Sequence, residues 1–365
     1  MTGKLDIVIF GLSLSSSWGN GHATTFRALL RGLAAEGHRV LFLEHDKPWY
    51  APHRDLPDPD FCEFELYDDL DAVIARHRDR LRRADAVIVG SYVPDGVRVI
   101  DRLHALAPRL LAFYDIDTPV TLDKLDRGDE EYLAARQIPL FDVYLSFSGG
   151  EVLTHLERER GARAARALYC SFDPDGYGPL DLPVRWDLGY LGTYSPDRQP
   201  TLDALLIEPA RRLPDRRFVV AGPGYPADID WPGNVDRIDH LPPAEHREFY
   251  NAQRFTLNVT RDAMRRMGWS PSVRLFEAAA CATPIISDAW RGLDEILPEG
   301  EAILIAGQSD DVCRALTGLS DAERRAMGDA GRRHVLTAHT GRARARGLAH
   351  DIVSVREGLR AGSEV

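Results

Sequence analysis

The sequence predicts an α/β protein made of two Rossmann-like, doubly wound parallel sheets that face each other across a cleft. Short apolar, β-branched runs alternate with helical patterns along the chain, and six strand-like runs lie on each side of a turn-rich segment near its middle. Alternation of this kind is typical of parallel sheets that are covered by helices on both faces.

The strand-like runs have the length of buried strands in a parallel sheet. In the first half they are residues 5–11, 39–44, 86–90, 110–115, 143–147 and 167–172. In the second half they are residues 188–192, 218–222, 235–241, 255–259, 284–287 and 302–305. Helical patterns between them include residues 23–36, 97–106, 201–213, 243–250 and 272–282. Each half therefore has enough strands for one open sheet.

The domain boundary is predicted from turn chemistry. Residues 173–179 read Asp-Pro-Asp-Gly-Tyr-Gly-Pro, which is typical of a linker. We expect a first domain at residues 1–178, a second at residues 179–340, and a C-terminal helix at residues 341–365 that packs back on the first domain. Because such sheets bind ligands beyond the carboxyl ends of their strands, the loops that follow the strands are the expected site.

Composition and charge argue against several classes of protein. The chain has 365 residues, of which 44% are hydrophobic, and a net charge of −11, so polymeric nucleic acid is not an expected partner. No apolar run approaches the ~20 residues of a membrane-spanning helix, and the N-terminus has no signal-peptide pattern. The four cysteines form no C-x-x-C pair, which argues against a zinc site and a disulfide framework. We expect a cytoplasmic enzyme.

The most informative segment, residues 267–288, reads MGWSPSVRLFEAAACATPIISD. Ser270 or Ser272 is expected to cap a helix whose first turn contains Pro271. The first N–H groups of a helix have no internal partner, and the helix dipole adds positive potential there. The helix start at Ser272 and Val273 is therefore a candidate site for a diphosphate.

Two charged residues follow on this helix. Arg274, in the first turn, is expected to donate charge-assisted hydrogen bonds to the diphosphate. Glu277 lies three residues later on the same face, where its carboxylate is expected to accept hydrogen bonds from the two hydroxyls of a ribose. The alternative is a buried crossover helix in which Arg274 and Glu277 pair with each other.

This segment resembles the donor-binding motif of GT-B-fold glycosyltransferases and is most similar to the group of spore-maturation CgeB-type glycosyltransferases. The resemblance lies in the strand end 257–261 (LNVTR), in Gly268 and Pro271, in the run 274–277 (RLFE) and in residues 288–297. It implies an enzyme that transfers a sugar from a nucleotide-sugar donor.

The resemblance covers most of residues 187–337 and, more weakly, the first half of the chain. Many retaining relatives carry two glutamates eight positions apart, whereas the position eight before Glu277 is Trp269 here. This departure leaves the stereochemistry of transfer open. The helix start and nearby arginines are expected to replace a divalent metal.

Two further loops of the second half are donor-binding candidates. Arg198 resembles in position the basic residue with which the family neutralises the donor diphosphate, and a solvated loop residue is the alternative. Gly222, after the next strand, permits close approach of a ligand. Tyr225 is expected to lie against the base or the sugar, with a plain turn as the alternative.

The loop after the first strand invites comparison with the dinucleotide-binding fingerprint. Gly19 and Gly21 match its first two glycines and Glu44 its acidic residue, but Thr24 occupies the third glycine position and the loop is too long. We interpret the loop as an acceptor-side wall in which Gly21 approaches the donor phosphate. His22 resembles in position the catalytic base of several inverting relatives, and imidazole suits proton removal at neutral pH. A capping or packing histidine is the alternative.

The segment Asp115-Ile116-Asp117 provides a second catalytic candidate in the first half. It is similar to a D-x-D metal motif, a device that GT-B enzymes do not generally use. Asp117 is expected to bind the acceptor or to act as an alternative base, and an N-cap or turn role is comparably supported.

The leading hypothesis is a metal-independent glycosyltransferase without a bound cofactor. It would move a sugar from a nucleoside-diphosphate-sugar to a hydroxyl of a small molecule, glycan or natural product. The alternatives are a nicotinamide-dependent Rossmann oxidoreductase, and a GT-B-fold sugar-nucleotide epimerase or non-catalytic binder. The expected catalytic residues are His22 and Asp117. The expected donor-binding residues are Gly21, Arg198, Gly222, Tyr225, Ser272, Val273, Arg274 and Glu277.

Overall fold

The computed structural model describes residues 3–18 and 21–363. The chain divides into two compact units. The first is formed by Met1–Ser171 together with Thr340–Val365, and the second by Phe172–His339. The last helix of the chain is thus part of the first unit.

The boundary follows Ser171, whereas the turn-rich segment predicts it after residue 178. The intervening residues pack with the second unit. The ring of Phe172 lies 6.5 Å from that of Tyr177, and the Tyr177 hydroxyl donates to Glu277. Turn chemistry therefore identifies the crossing segment but not the residue at which packing changes.

The first unit is built on seven strands. They are β1 (Asp6–Gly11), β2 (Arg39–His45), β3 (Glu63–Tyr67), β4 (Ala86–Gly90), β5 (Leu111–Asp115), β6 (Val143–Ser146) and β7 (Ala165–Ala167). They form one parallel sheet in the order β3-β2-β1-β4-β5-β6-β7, with Ile9 of β1 opposite Phe42 of β2 and Ile88 of β4. The central strands are buried along their length, as expected where helices cover both faces.

Two edge strands differ from the prediction. The sequence does not predict β3, and it places β7 at residues 167–172. β3 reads EFELY and is partly exposed, with glutamates alternating with apolar residues. A continuous apolar run marks a strand buried on both faces, so an alternating edge strand lacks that signal.

The second unit contains six strands. They are β8 (Trp186–Leu191), β9 (Phe218–Ala221), β10 (Val235–Ile238), β11 (Gln253–Asn258), β12 (Ile285–Ser287) and β13 (Leu304–Ile305). They form a parallel sheet in the order β10-β9-β8-β11-β12-β13. In both sheets the first strand lies inside the sheet and the chain winds outward on either side of it. The predicted fold class of two doubly wound parallel-sheet units is therefore confirmed.

Helices connect the strands in both units. They are α1 (His22–Ala35), α2 (Leu70–Arg76), α3 (Arg78–Arg83), α4 (Gly96–Ala105), α5 (Thr118–Asp126), α6 (Glu151–Arg158), α7 (Gln199–Leu202), α8 (Glu208–Arg212), α9 (His246–Asn251), α10 (Asp262–Met267), α11 (Val273–Ala280), α12 (Leu293–Ile296), α13 (Ser309–Gly318), α14 (Asp321–Ala338) and α15 (Gly341–Ser363). A π-helical turn joins α7 to α8. Among the helices of residues 3–18 and 21–363, none is long and apolar enough to cross a membrane.

Helix α15 packs on α1 through two glycines. A Cβ at Gly32 would lie 2.2 Å from the Gly341 carbonyl oxygen, and a Cβ at Gly341 would lie 2.0 Å from that of Ala28. Glu36 at the end of α1 pairs with Arg346 of α15 at 3.0 Å. The absence of two side chains therefore lets the backbones of these helices meet.

We expect Gly32→Ala to destabilise the first unit by ~1–3 kcal/mol, because the new methyl group cannot fit without moving the backbone. The measurement is the free energy of unfolding in urea. Gly347→Ala is the matched control, since Gly347 is an exposed residue of α15 with no atom within 4 Å of its would-be Cβ. The control should raise stability by roughly 0.5–1 kcal/mol. Equal effects of the two substitutions would contradict the close approach.

Candidate functional site

Ser272 occupies the N-cap position of α11, but its hydroxyl does not cap the helix. It donates instead to Asn258 Oδ1, 3.0 Å away, and the Ser270 hydroxyl donates to a backbone carbonyl. Pro271 precedes the N-cap, so the prediction that it lies in the first turn is wrong. The N–H groups of the first turn, beginning with that of Val273, therefore have no side-chain cap and suit an anion.

Arg274 is held at the ends of two neighbouring strands. Its guanidinium donates through Nε to the carbonyl of Leu191, the last residue of β8, at 2.6 Å, and through Nη1 to Asn258 Oδ1 at 2.8 Å. It also lies 4.9 Å from the centre of the Tyr190 ring. The side chain is 9% exposed. Its position is therefore fixed by the sheet, and it forms no salt bridge with Glu277.

Glu277 has other partners. Its Oε1 accepts from the Tyr177 hydroxyl at 2.7 Å and its Oε2 from the Tyr250 hydroxyl at 3.2 Å. His246 Nδ1 lies 3.8 Å from the carboxylate. The residue is 3% exposed, so a ribose would have to reach it by displacing a tyrosine hydroxyl. The sequence contains no signal for these three partners, which come from two separate segments, the one before β8 and helix α9.

Asn258, the last residue of β11, connects the residues at the start of α11. Its Nδ2 donates to the hydroxyls of Ser287 at 2.9 Å and Thr260 at 3.2 Å. This arrangement leaves Oδ1 to accept from both Ser272 and Arg274. Asn258 is 1% exposed. It belongs to the strand end on which the family resemblance rests, but the sequence alone assigns it no role.

Arg198 lies in the loop after β8. Its Nη2 donates to the Thr193 carbonyl, and its Nε has no hydrogen-bond partner among the described residues. Burial lowers the pKa of Arg198, and the charges of Arg274 and Arg261 lower it further. A guanidinium remains protonated at neutral pH, so these three cations repel one another and would gain from a bound anion.

The loops after β8 and β9 touch each other. Gly222 has a φ of +139°, and a Cβ there would lie 2.2 Å from the Gly192 carbonyl oxygen. The Tyr225 hydroxyl donates to the same carbonyl at 3.1 Å, while the Arg237 guanidinium covers its ring at 4.3 Å. The Trp231 ring lies 5.5 Å away. Tyr225 is thus part of an aromatic cluster that holds the two loops together.

Trp269 occupies the position of the earlier glutamate of retaining relatives. Its Nε1 donates to Glu295 at 3.0 Å, and the Arg291 guanidinium lies 5.2 Å from its ring. A Cβ at Gly292 would lie 2.2 Å from the indole, so that glycine makes room for it. Trp269 itself has a φ of +43°. The indole therefore packs on the segment after β12.

In the first unit, His22 and Asp117 both contact Tyr92. The rings of His22 and Tyr92 meet edge to face at 5.4 Å, and the Tyr92 hydroxyl donates to Asp117 Oδ2 at 3.3 Å. Burial lowers the pKa of His22 from 6.5 to about 4, and its Nδ1 has no partner among the described residues. Tyr92 follows β4 with a φ of +62°, a conformation that is strained for a bulky residue. The sequence gives no signal for Tyr92.

Asp115 is fully buried in the same unit. It accepts from the hydroxyls of Thr121 and Tyr144, both at 2.6 Å, and from the Asp117 N–H at 3.2 Å. Burial raises its pKa to about 6. The first carboxylate of the D-x-D segment therefore organises the end of β5. Asp117 occupies the N-cap position of α5 without a side-chain cap.

Glu44, the acidic residue of the fingerprint comparison, lies on β2, and its buried carboxylate contacts the loop after β1. It accepts from the N–H groups of Leu14 at 2.6 Å and Ser15 at 2.9 Å. Glu44 thus holds this loop, and its carboxylate already has hydrogen-bond donors within the protein. Gly21 is the N-cap residue of α1, with an ordinary φ of −84° and no described atom within 4 Å of a would-be Cβ. Gly19 lies outside the described residues.

Residues 198–350 match the glycosyl transferase-like family. This range contains Arg198, Asn258, Arg274 and Glu277. A sequence search among curated proteins gives no match.

Solved structures share the architecture along nearly the whole chain. A sucrose-phosphate synthase from Thermosynechococcus elongatus is 16% identical, with a TM-score of 0.72 over 98% of this chain and 100% of that one. HepE from Anabaena, solved in complex with UDP and glucose, is 12% identical, with a TM-score of 0.66 over 96% and 100%. A glycosyltransferase from Rickettsia africae is 10% identical, with a TM-score of 0.68 over 96% and 98%. The fold is that of the GT-B glycosyltransferases.

We expect the His22 imidazole to titrate at a pKa of about 4 in the folded protein, because burial disfavours its charged form. NMR titration measures this value, with His22→Gln assigning the resonance. Since the folded pKa is below the ordinary 6.5, the stability that the neutral imidazole confers is complete above pH 6.5 and is lost as the pH falls towards about 4. His22→Gln should lack this loss. A midpoint at or above 6.5 would contradict the burial.

Proposed function

We propose that the protein is a metal-independent glycosyltransferase that moves a sugar from a nucleoside-diphosphate-sugar to an acceptor hydroxyl. The observation that carries the proposal is the cationic start of α11. There Arg274 is fixed between the ends of β8 and β11, beside an uncapped helix terminus and near Arg198. These features lie within the range that matches the glycosyl transferase-like family.

The donor diphosphate is the anion that best suits this site. Arg198 and Arg274 offer fixed positive charge, and the first N–H groups of α11 offer hydrogen-bond donors. When the bond from the anomeric carbon to the diphosphate breaks, its electron pair stays on the diphosphate. The same groups would stabilise this developing charge, which is the work that a divalent metal performs in other transferases.

The ribose is assigned to Glu277. Each of its carboxylate oxygens accepts one tyrosine hydroxyl and retains a further lone pair. We infer that ribose hydroxyls take these lone pairs, with the Tyr177 hydroxyl giving way. The segment around Arg274 also supports a place in the CgeB-type group, and the UDP complex of Anabaena HepE supports a nucleoside diphosphate as the common part of the donor.

We assign His22 as the base that takes the proton of the acceptor hydroxyl. Its Nδ1 has no partner among the described residues, and the imidazole is neutral at neutral pH. The acceptor oxygen would attack the anomeric carbon as its proton passes to the imidazole, and attack opposite the leaving group inverts that carbon. Asp117, which shares Tyr92 with His22, is the alternative base.

We expect Arg274→Ala to weaken binding of UDP, or of whichever nucleoside diphosphate binds best, by ~1.5–3 kcal/mol, the range for hydrogen bonds to charged groups. Calorimetric titration measures this affinity. Arg265→Ala is the control, because Arg265 is an exposed arginine of α10 that pairs with Asp262. Unchanged nucleotide affinity in a folded Arg274→Ala variant would contradict the assignment of the diphosphate to this site.

We expect His22→Ala to lower kcat by ~10²–10⁴ with nucleotide affinity intact, the usual effect of losing a general base. Release of nucleoside diphosphate from a donor sugar measures turnover, with and without EDTA. His104→Ala, at an exposed histidine of α4, is the control. Turnover of the His22→Ala variant above half of the wild-type value would show that another group is the base. Activity that EDTA abolishes and Mg²⁺ restores would contradict the metal-independent mechanism.

A further inference from the structure

The first unit contains a cavity at the carboxyl ends of β2, β3 and β4, and His22 is not among the residues that line it. Its volume is about 330 Å³, at the small end of the range of roughly 300–1,000 Å³ for ligand pockets. The lining includes Tyr67, Asp68, Asp69, Asp71, Asp95 and Arg98. Four aspartates and one arginine make this lining strongly acidic.

Two of the aspartates are already engaged. Asp69 caps α2 by accepting from the N–H groups of Asp71 at 2.8 Å and Ala72 at 3.1 Å. Asp71 pairs with Arg98 at 2.6 Å and with Arg102 at 2.8 Å. The two arginines carry one positive charge more than Asp71, and the carboxylates of Asp68, Asp69 and Asp95 outnumber that remaining charge.

The other two aspartates are unengaged. The carboxylates of Asp68 and Asp95 have no hydrogen bond or ion pair with any described residue, and both residues are exposed. Asp95 occupies the N-cap position of α4, where a carboxylate ordinarily caps the helix, yet its side chain does not. Its backbone has a φ of +53°, in the left-handed region. This conformation leaves the carboxylate of Asp95 at the cavity.

Tyr67 is an independent sign of a ligand. It is the last residue of β3 and is 5% exposed, with its ring against those of Phe10 at 6.0 Å and His45 at 5.2 Å. Its hydroxyl has no hydrogen-bond partner among the described residues, although the side chain lines the cavity. Burial and the charge of Asp95 raise the pKa of Tyr67, so the phenol keeps its proton and can donate it. Although most of the side chain is buried, the hydroxyl itself is open to the cavity, where it can donate to a ligand.

One loop connects this cavity to the proposed catalytic residues. Tyr92, which contacts His22 and Asp117, and Asp95, which lines the cavity, lie three residues apart after β4, and both have positive φ. Strain of this kind persists only where the surrounding structure enforces it. The loop thus presents a tyrosine to the catalytic pair and a carboxylate to the cavity.

We propose that this cavity is an acceptor subsite for a protonated amine on a polyhydroxylated molecule, such as an amino sugar or aminocyclitol. The ammonium group would pair with Asp68 and Asp95, and the Tyr67 hydroxyl would donate to a ligand oxygen. The inference rests on the proposed glycosyl transfer, because it names the acceptor class of that reaction.

The test is calorimetric titration of the full chain with glucosamine and deoxystreptamine, and with glucose and N-acetylglucosamine as uncharged counterparts. We expect the amines to bind about tenfold or more tightly than the uncharged sugars, as for a charge-assisted contact. Asp95→Asn and Asp68→Asn should each weaken amine binding about tenfold, and Tyr67→Phe should weaken it less. Asp58→Asn, at an exposed aspartate outside the lining, makes the same change in charge and should have no effect.

Several outcomes would overturn the proposal. They are equal binding of glucosamine and glucose, no amine binding at millimolar concentration, equal losses in the Asp95→Asn and Asp58→Asn variants, and displacement of the amine by micromolar Mg²⁺ or Ca²⁺. Titration with UDP separates this proposal from the proposed function. Amine binding without nucleotide binding would support the amine site and contradict the proposed glycosyltransferase function. Nucleotide binding without amine binding would contradict the amine site and leave the proposed function standing.

Discussion

Both candidate sites depend on one topological constraint, the reversal of strand order in a doubly wound sheet. In the second unit the chain winds in opposite directions from β8 and β11, which are neighbours, and the loops after them diverge. Arg274 joins the two strand ends by donating to Leu191 and Asn258. In the first unit the reversal lies between β1 and β4, and it is there that His22 and Tyr92 meet. Parallel sheets bind ligands at such points because the diverging loops leave a crevice.

Hydrogen-bond satisfaction then decides which groups remain for a ligand. The buried side-chain amide of Asn258 donates through Nδ2 and accepts through Oδ1, and its Oδ1 fixes the positions of Ser272 and Arg274. Leaving a buried group of this kind without a partner costs ~1–3 kcal/mol. Because the Ser272 hydroxyl donates to Asn258, it does not cap α11, and the first N–H groups of the helix have no side-chain partner. In the first unit, Asp115 is similarly saturated by hydroxyls, whereas His22 Nδ1 and the Tyr67 hydroxyl have no described partner.

The sequence predicts the central strands well because strands buried on both faces consist of continuous apolar runs. It does not predict β3, whose glutamates alternate with apolar residues at an edge. For the site, it selects Arg274 and Glu277 from their spacing and from a resemblance. It does not predict Tyr177 and Tyr250 as partners of Glu277, because those contacts are made between distant segments. Tyr92 is equally invisible, since its importance lies in a backbone conformation and in two neighbours rather than in a motif.

The basicity of His22 shows how far a residue type can mislead without its surroundings. An imidazole is the natural choice of base because its ordinary pKa is 6.5, but burial lowers the pKa of His22 to about 4. In the free protein this side chain is unprotonated yet has little drive to take a proton from a hydroxyl. An anion brought beside a buried imidazole favours its charged form and raises its pKa. A negatively charged ligand that reaches the imidazole would therefore strengthen His22 as a base, and proton removal would become efficient only once that ligand has bound.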